Sequence, residues 1–361
     1  MLAMFEAIAA DPSRFASECW AWCNPFQGND AAWSVPLTFI ALQWVLFLIA
    51  PGHPTRVMGP SGVSAIYPAN GFAAMFGTAA FYYCAHVGGY LNFFDFVRES
   101  YAHHGEITCA LNMIGFAATV LLYLRGRFSP DCGDAKLDGP LRDMYWGVEL
   151  HPLILGTRVK LLCCRVGMMY WTLMCVTAPV LSALNSDTGL PTNAILASCA
   201  IQMVYNVKFF LWEDGYINSM DMAVDKAGFM ICWGCLAYVP SVYTLVCYYL
   251  AKMGPSNDVI SVPMAVGMFV AGMVLTLLNY WVDVQRTRFR DSDGKENIWG
   301  AKPVVLRAPY VTEDGKKRMS CLLCSGWWGA LGGARAMRAQ SRELQCACGS
   351  AGSALTRANP H

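Results

Sequence analysis

Ile107-Thr-Cys-Ala-Leu-Asn-Met-Ile-Gly-Phe-Ala-Ala-Thr-Val-Leu-Leu-Tyr-Leu124, followed at once by Arg125-Gly-Arg127, decides what kind of chain this is. No charge interrupts the run from 107 to 124, and two arginines mark where it stops. As a helix rising ~1.5 Å per residue it reaches about 27 Å, close to the hydrocarbon thickness of a bilayer. Six further stretches share this character: 33–51, 70–94, 167–184, 192–212, 227–250 and 260–282. In the second of them His86, Gly88 and Gly89 break the apolar run. The pattern predicts an all-α polytopic transmembrane helical bundle of about seven spans.

Composition agrees. Of 361 residues, 55% are hydrophobic and 14% charged, where ordinary globular chains carry roughly 25% charge. A formal net charge of +1 excludes the basic footprint of a nucleic-acid binder, so no nucleic-acid partner is expected, and it excludes an acidic disordered chain. Cysteines are scattered, often inside apolar runs (Cys84, Cys109, Cys175, Cys199, Cys247), without the loop spacing of a disulfide framework. Neither Cys232/Cys235 nor Cys321/Cys324 has a second pair at zinc spacing, so the thiols read as small core residues and no metal site is expected. The first fifteen residues carry Glu6 and Asp11 and no cationic start, unlike a cleaved signal peptide.

Charge sets the orientation. Arg125, Arg127, Lys136, Arg142, Arg158, Lys160 and Arg165 lie between the third and fourth spans, and a second basic group from Arg286 to Arg318 follows the seventh. Four spans separate the two groups, so both face one side, which the positive-inside rule makes cytosolic. Residues 213–226 join that side, leaving Arg14, Arg98 and Lys252 opposite.

The stretch from Gln202 to Tyr249 is richest in side chains capable of chemistry. Tyr205, Phe209 and Trp212 fall at i, i+4 and i+7 and share a helix face, with Lys208 beside them. Glu213, Asp214, Asp221 and Asp225 follow, the last two at i, i+4, and then Trp233, Tyr238, Tyr243, Tyr248 and Tyr249 surround Pro240. One reading is an interfacial aromatic belt with a snorkelling lysine and a solvated acidic face. The other is an aromatic-walled pocket for a flat apolar ligand, in which Tyr or Asp delivers a proton. Arg286-Thr-Arg-Phe-Arg290 reads either as a membrane-flanking basic run or as a grip on phosphates. Gly147-Val-Glu-Leu-His-Pro152 and Ser325-Gly-Trp-Trp-Gly329 each read alone as ordinary turns, and no GxGxxG follows a predicted strand.

Together these stretches resemble the sterol reductase family. The carriers are Gly147-Val-Glu-Leu-His-Pro152, Trp212-Glu-Asp-Gly-Tyr-Ile-Asn-Ser-Met-Asp221, Asp225-Lys-Ala-Gly-Phe-Met-Ile-Cys-Trp-Gly-Cys235 and Val239-Pro-Ser-Val-Tyr-Thr244. Phe289-Arg290, Asp293-Gly294, Trp299-Gly300 and Leu322-Leu-Cys-Ser-Gly-Trp-Trp-Gly329 follow in the family's order. Trp233-Gly-Cys235 and Tyr238-Val-Pro-Ser-Val-Tyr243 resemble the Δ7 branch, particularly its plant and algal members, as does Lys208. The resemblance implies NADPH-dependent reduction of the sterol C7–C8 double bond at the endoplasmic reticulum membrane. It implies NADPH contacts at Arg286, Arg290, Leu323 and Trp328. Tyr205, Asp221 and Tyr243 become the candidate catalytic residues, with Trp212, Glu213 and Trp233 as candidate sterol contacts. Reduction of a C14 or C24(28) double bond, or sterol binding without catalysis, are the alternatives.

The expected organisation is an N-terminal lumenal segment (1–32), a transmembrane sterol reductase domain (33–318), the start of a cofactor-binding region (319–333) and a disordered tail (334–361). After Gly329 the sequence leaves the family pattern: Ala330-Leu-Gly-Gly-Ala-Arg335 replaces Leu/Val-Ala-Arg-His-Phe-Asn/His-Tyr. The tail is too polar to span or pack. The departure implies a shortened cofactor pocket and impaired activity.

Overall fold

The computed structural model describes residues 10–27, 30–58, 64–128, 139–253, 260–292, 294–298, 300, 302–303, 305–311 and 317–323. The chain folds as two compact units, Met1–Leu277 and Leu278–His361. The first opens with α1 (Phe15–Cys23) and α2 (Ala31–Ile49), then an antiparallel hairpin of β1 (His53–Met58) and β2 (Ser64–Ala69). Next come α3 (Gly71–Val87), α4 (Phe93–Ala102), α5 (His104–Phe128), α6 (Pro140–Trp146) and the two-residue strands β3 (Leu153–Ile154) and β4 (Thr157–Arg158). They are followed by α7 (Val159–Leu184), α8 (Asn193–Leu211), α9 (Glu213–Ile217), α10 (Met220–Ala223) and α11 (Phe229–Trp233). A π-helical segment (Gly234–Tyr243), α12 (Leu245–Met253) and α13 (Val262–Asp291) complete the helices.

Among the described residues six helices are long and apolar enough to cross a membrane: Ala31–Ile49, His104–Phe128, Val159–Leu184, Asn193–Leu211, Phe229–Met253 and Val262–Phe289. The span expected over 70–94 is shorter. It is α3, which Gly88 and Gly89 end (Gly89 has φ +73°), and the remainder turns into the separate amphipathic α4. With 17 residues, α3 still reaches about 26 Å. Contacts at one end of the bundle require it to cross. Arg158 Nε donates to the Ile66 carbonyl at 3.2 Å, Tyr67 Oη lies 2.9 Å from His151 Nδ1, and Ala227 N–H donates to the Glu149 carbonyl at 2.9 Å. The connections after α2, α5 and α8 therefore lie together, and the chain can return from the first to the second only if α3 and α5 both cross. Seven spans follow by parity.

α7 is the hub. Eighty-three per cent of its apolar window is buried inside the protein, against about a third or less for every other span. Small residues explain this, because between helices in lipid the packing comes from close approach and not from water exclusion. A Cβ on Gly167 would stand 2.1 Å from the Cys235 carbonyl oxygen, so only glycine lets α7 touch the π segment. Cys163, Cys164, Cys175 and Ala178 are all buried in the same core. Among the described residues no three metal-ligating side chains come together.

Two charges counted in the sequence as loop residues are instead buried: Lys160 is 0% and Arg165 1% exposed. Lys160 Nζ donates to the carbonyls of Leu150 at 3.3 Å, Met222 at 3.1 Å and Asp225. It ties the connection before α7 to the connection after α8. Arg165 belongs to the site below. The second unit holds the end of α13 and an antiparallel hairpin, β5 (Val305–Val311) with β6 (Lys317–Leu323). The expected tail, 334–361, lies outside the described residues.

Candidate functional site

Aromatic side chains of α7, α8 and the π segment form one continuous series. Trp171 is its centre: its ring lies 5.6 Å from that of Tyr205 and 5.0 Å from that of Tyr243. From Tyr243 the series passes to Tyr238 (5.9 Å), Trp233 (6.4 Å), Phe229 (4.7 Å, stacked) and Tyr145 (6.2 Å). Trp233, Tyr238 and Tyr243 recur every fifth residue. In an α-helix that step turns a side chain about 140° away. In a π-helix the i→i+5 hydrogen bond brings it back over its predecessor. Pro240 has no N–H to give the i−4 carbonyl of an α-helix, and it sits inside this segment.

Polar groups behind the rings are fixed. Trp171 Nε1 donates to Gln202 Oε1 at 2.7 Å, and Gln202 Nε2 donates to Ser198 Oγ at 3.0 Å. Trp233 Nε1 donates to Asn112 Oδ1 at 3.2 Å. Such bonds hold the rings in orientation where lipid offers no alternative partner. The front is open: Tyr205, Tyr238 and Tyr243 are 37%, 44% and 45% exposed. Lys208 Nζ lies 5.9 Å from the Tyr205 ring centroid and 5.1 Å from that of Trp212, so it packs between them as a cation over π faces.

The structure thus brings Tyr205 and Tyr243 together through Trp171, which the sequence reading missed along with Gln202. Trp233 lies further along the same wall, and Trp212 caps α8. Glu213, expected as a sterol contact, goes elsewhere. Its carboxylate is 3% exposed and accepts from Arg165 Nε at 3.1 Å, Arg165 Nη2 at 2.5 Å and Gly71 N–H at 2.7 Å. Arg165 Nη1 donates to Asn70 Oδ1 at 2.8 Å. A buried carboxylate held by three such bonds is a clasp joining α3, α7 and α9. Asp221 is also apart from the tyrosines. It is exposed on α10, with Asp225 and Lys160 as electrostatic neighbours. Nor do Asp221 and Asp225 share a helix face, because α10 stops at Ala223 and Asp225 N–H returns to the Met220 carbonyl at 3.1 Å. Burial, and then the Asp221 charge, raise the Asp225 carboxyl above its ordinary value.

Gly147-Val-Glu-Leu-His-Pro152 proves to be a second clasp. Gly147 adopts φ +93°, and a Cβ there would meet the backbone of Ala227 at 2.6 Å. Glu149 pairs with Arg125. His151 Nδ1 lies within hydrogen-bond distance of the Tyr67 hydroxyl. Burial, then the charges of Lys160 and Arg158, lower the His151 imidazole to about 4. Burial raises the Tyr67 phenol.

Of the expected cofactor residues, Arg286 is exposed on α13 and Arg290 lies one turn later on the same helix, while Leu323 ends β6. Trp328 lies outside the described residues. Within this unit Trp281, Gln285, Arg288, Glu296 and Asn297 line a cavity of about 360 Å³. One exposed guanidinium, that of Arg288, stands there beside an indole, two amides and the Glu296 carboxylate.

Comparison with known proteins gives the family. The profile of the ergosterol biosynthesis ERG4/ERG24 family matches residues 15–336. The 7-dehydrocholesterol reductase of Arabidopsis thaliana is 39% identical over 343 residues, 91% of this chain and 77% of its own length. That of Xenopus laevis is 30% identical over 226 residues, 61% of this chain and 46% of its own. The Delta(14)-sterol reductase of Methylotuvimicrobium alcaliphilum is 28% identical over 329 residues, 90% of this chain and 71% of its own. The chain spans about half the length of the frog relative and three quarters of the plant one. By the extent of the profile match, this polytopic bundle belongs to the ergosterol biosynthesis ERG4/ERG24 family of sterol reductases.

Proposed function

We propose that the protein reduces the C7–C8 double bond of a sterol with NADPH, as a multi-pass protein of the endoplasmic reticulum membrane. The observation that carries the reading is the wall on which Tyr205 and Tyr243 flank Trp171. Reducing an unactivated ring alkene adds a proton to one carbon and a hydride to the other. A carbocation develops between the two additions, and it needs surroundings that neither quench nor hydrate it. Flat aromatic faces supply them, since their negative quadrupoles attract a cation and their apolar surface accepts the rings. Tyr205 is the proposed proton donor, with Tyr243 across Trp171 as its partner. Trp212 and Trp233 are proposed to shape the wall. NADPH supplies the hydride when bound. Arg286 and Arg290 would hold its phosphates through forked N–H donors, and by resemblance Leu323 and Trp328 would border it.

The identity to the plant 7-dehydrocholesterol reductase favours C7–C8 over C14. The bacterial Delta(14)-sterol reductase, matched over nearly the same share of the chain, is the ground for the second reading. Membranes expressing the full chain, given NADPH and the 7-ene, 14-ene and 24(28)-ene sterols separately, decide between them. Loss of the 7-ene alone is expected. Loss of the 14-ene alone transfers the assignment, and sterol binding with no reduction of any diene refutes catalysis.

A further inference from the structure

A second ligand-sized space lies on a different face of the bundle. It is a cavity of about 390 Å³ between α3, α7 and α8, closed at one end by the start of α4. That volume falls in the range of small-molecule sites. Met75, Met169 and Met203 gather at its deep end, and Tyr82 and Phe93 give it flat walls. His86 stands at its mouth in the last turn of α3. The imidazole Nδ1 accepts from Phe93 N–H at 3.3 Å, which puts the ring proton on Nε2 and makes it a donor. Met75 precedes His86 by eleven residues on one helix, so the polar end and the thioether end are about 16 Å apart.

Lipid already surrounds this face, so apolar burial alone selects nothing. Selection has to come from shape, rigidity and hydrogen bonding at the mouth. A flexible acyl chain confined in the slot loses rotational freedom, whereas a fused ring system has none to lose. Unbranched thioethers adapt to an irregular hydrocarbon surface. The polarity runs in the sense of a bilayer leaflet, with the His86 donor at the helix end and the three methionines further along the slot. From these observations we infer that the α3–α7–α8 cavity binds a membrane sterol, separate from the aromatic wall, with its hydroxyl accepting from His86 Nε2 and its ring system against Tyr82 and the three methionines.

The test uses the full chain in nanodiscs and a saturated photoreactive 3-hydroxysterol. Having no C7–C8 double bond, this probe reports the site whether or not the chain reduces sterols. Label is expected on α3 and α7 peptides, displaced by unlabelled saturated sterol but not by its 3-deoxy analogue or by phosphatidylcholine. Ala79→Trp, which fills the slot, is expected to lower that label at least tenfold. His86→Ala is expected to lower it several-fold, as loss of one hydrogen bond does, and to erase discrimination against the 3-deoxy analogue. Photoreactive phosphatidylcholine labelling the same peptides equally, or sterol label that His86→Ala leaves unchanged, overturns the inference in favour of annular lipid. The competition arm needs no variant and decides the matter even if Ala79→Trp fails to fold.

Discussion

Arg165 shows what the sequence conceals at the scale of a residue. Counted along the chain it is one more basic side chain before a span. In the structure it is buried, two turns inside α7, and its charge is met by Glu213 and Asn70. A burial this deep leaves either partner badly placed without the other. Glu213→Gln is expected to cost about 3–5 kcal/mol, read as a lower melting temperature in detergent, and Arg165→Met with Glu213→Leu to recover most of it. The motif around Glu213 was legible as important, but its role was not, because a carboxylate that clasps helices and one that faces a ligand look alike in sequence. For Tyr205 the expectation is different in kind. If it donates the proton, Tyr205→Phe lowers the turnover of a 7-ene sterol by about 10²-fold or more while sterol binding persists. Equal losses of binding and turnover would make it a wall residue only.

At the scale of elements, the apolar runs were legible because a membrane helix has to satisfy its own backbone and has no hydrophobic face to conceal. Their ends were less so. Residues 70–94 read as one span, and two glycines split them into α3 and the amphipathic α4. The π segment carried a signal that an α-helical reading discards: Trp233, Tyr238 and Tyr243 recur at five, the period of the i→i+5 turn. One residue more or less therefore decides whether the rings form a wall. Deleting Val239 should return Gly234–Tyr243 to α geometry and swing Tyr243 roughly 100° out of line. Far-ultraviolet circular dichroism should barely change, while sterol photolabelling of α8 and the π segment is lost. Retained labelling would mean that the five-residue spacing is incidental.

For the whole molecule, three connections that are distant in sequence form one polar layer, and its stability should respond to pH. His151 titrates near 4 in the folded protein and near ~6.5 in an unfolded chain. Between those values the unfolded state holds the extra proton, so stability is full above about pH 6.5 and falls as the pH drops toward 4. His151→Asn should flatten the decline in melting temperature between pH 7 and 5. The same layer fixes the number of crossings. Hairpin 53–69, residues 139–158 and residues 213–228 share an end of the bundle because an even number of spans separates each pair, and that holds only if α3 crosses. The basic residues of this end, Arg125, Arg158 and Lys226 among them, outnumber Arg14, Arg98 and Lys252 opposite, so the positive-inside rule predicts a cytosolic layer. Asn-x-Thr acceptor sites inserted at 88–92 and at 186–190 should therefore be glycosylated in microsomes, and a site inserted at 139 should not. Modification at 186–190 without modification at 88–92 would mean that α3 does not cross, and the parity that unites the three connections would fail with it.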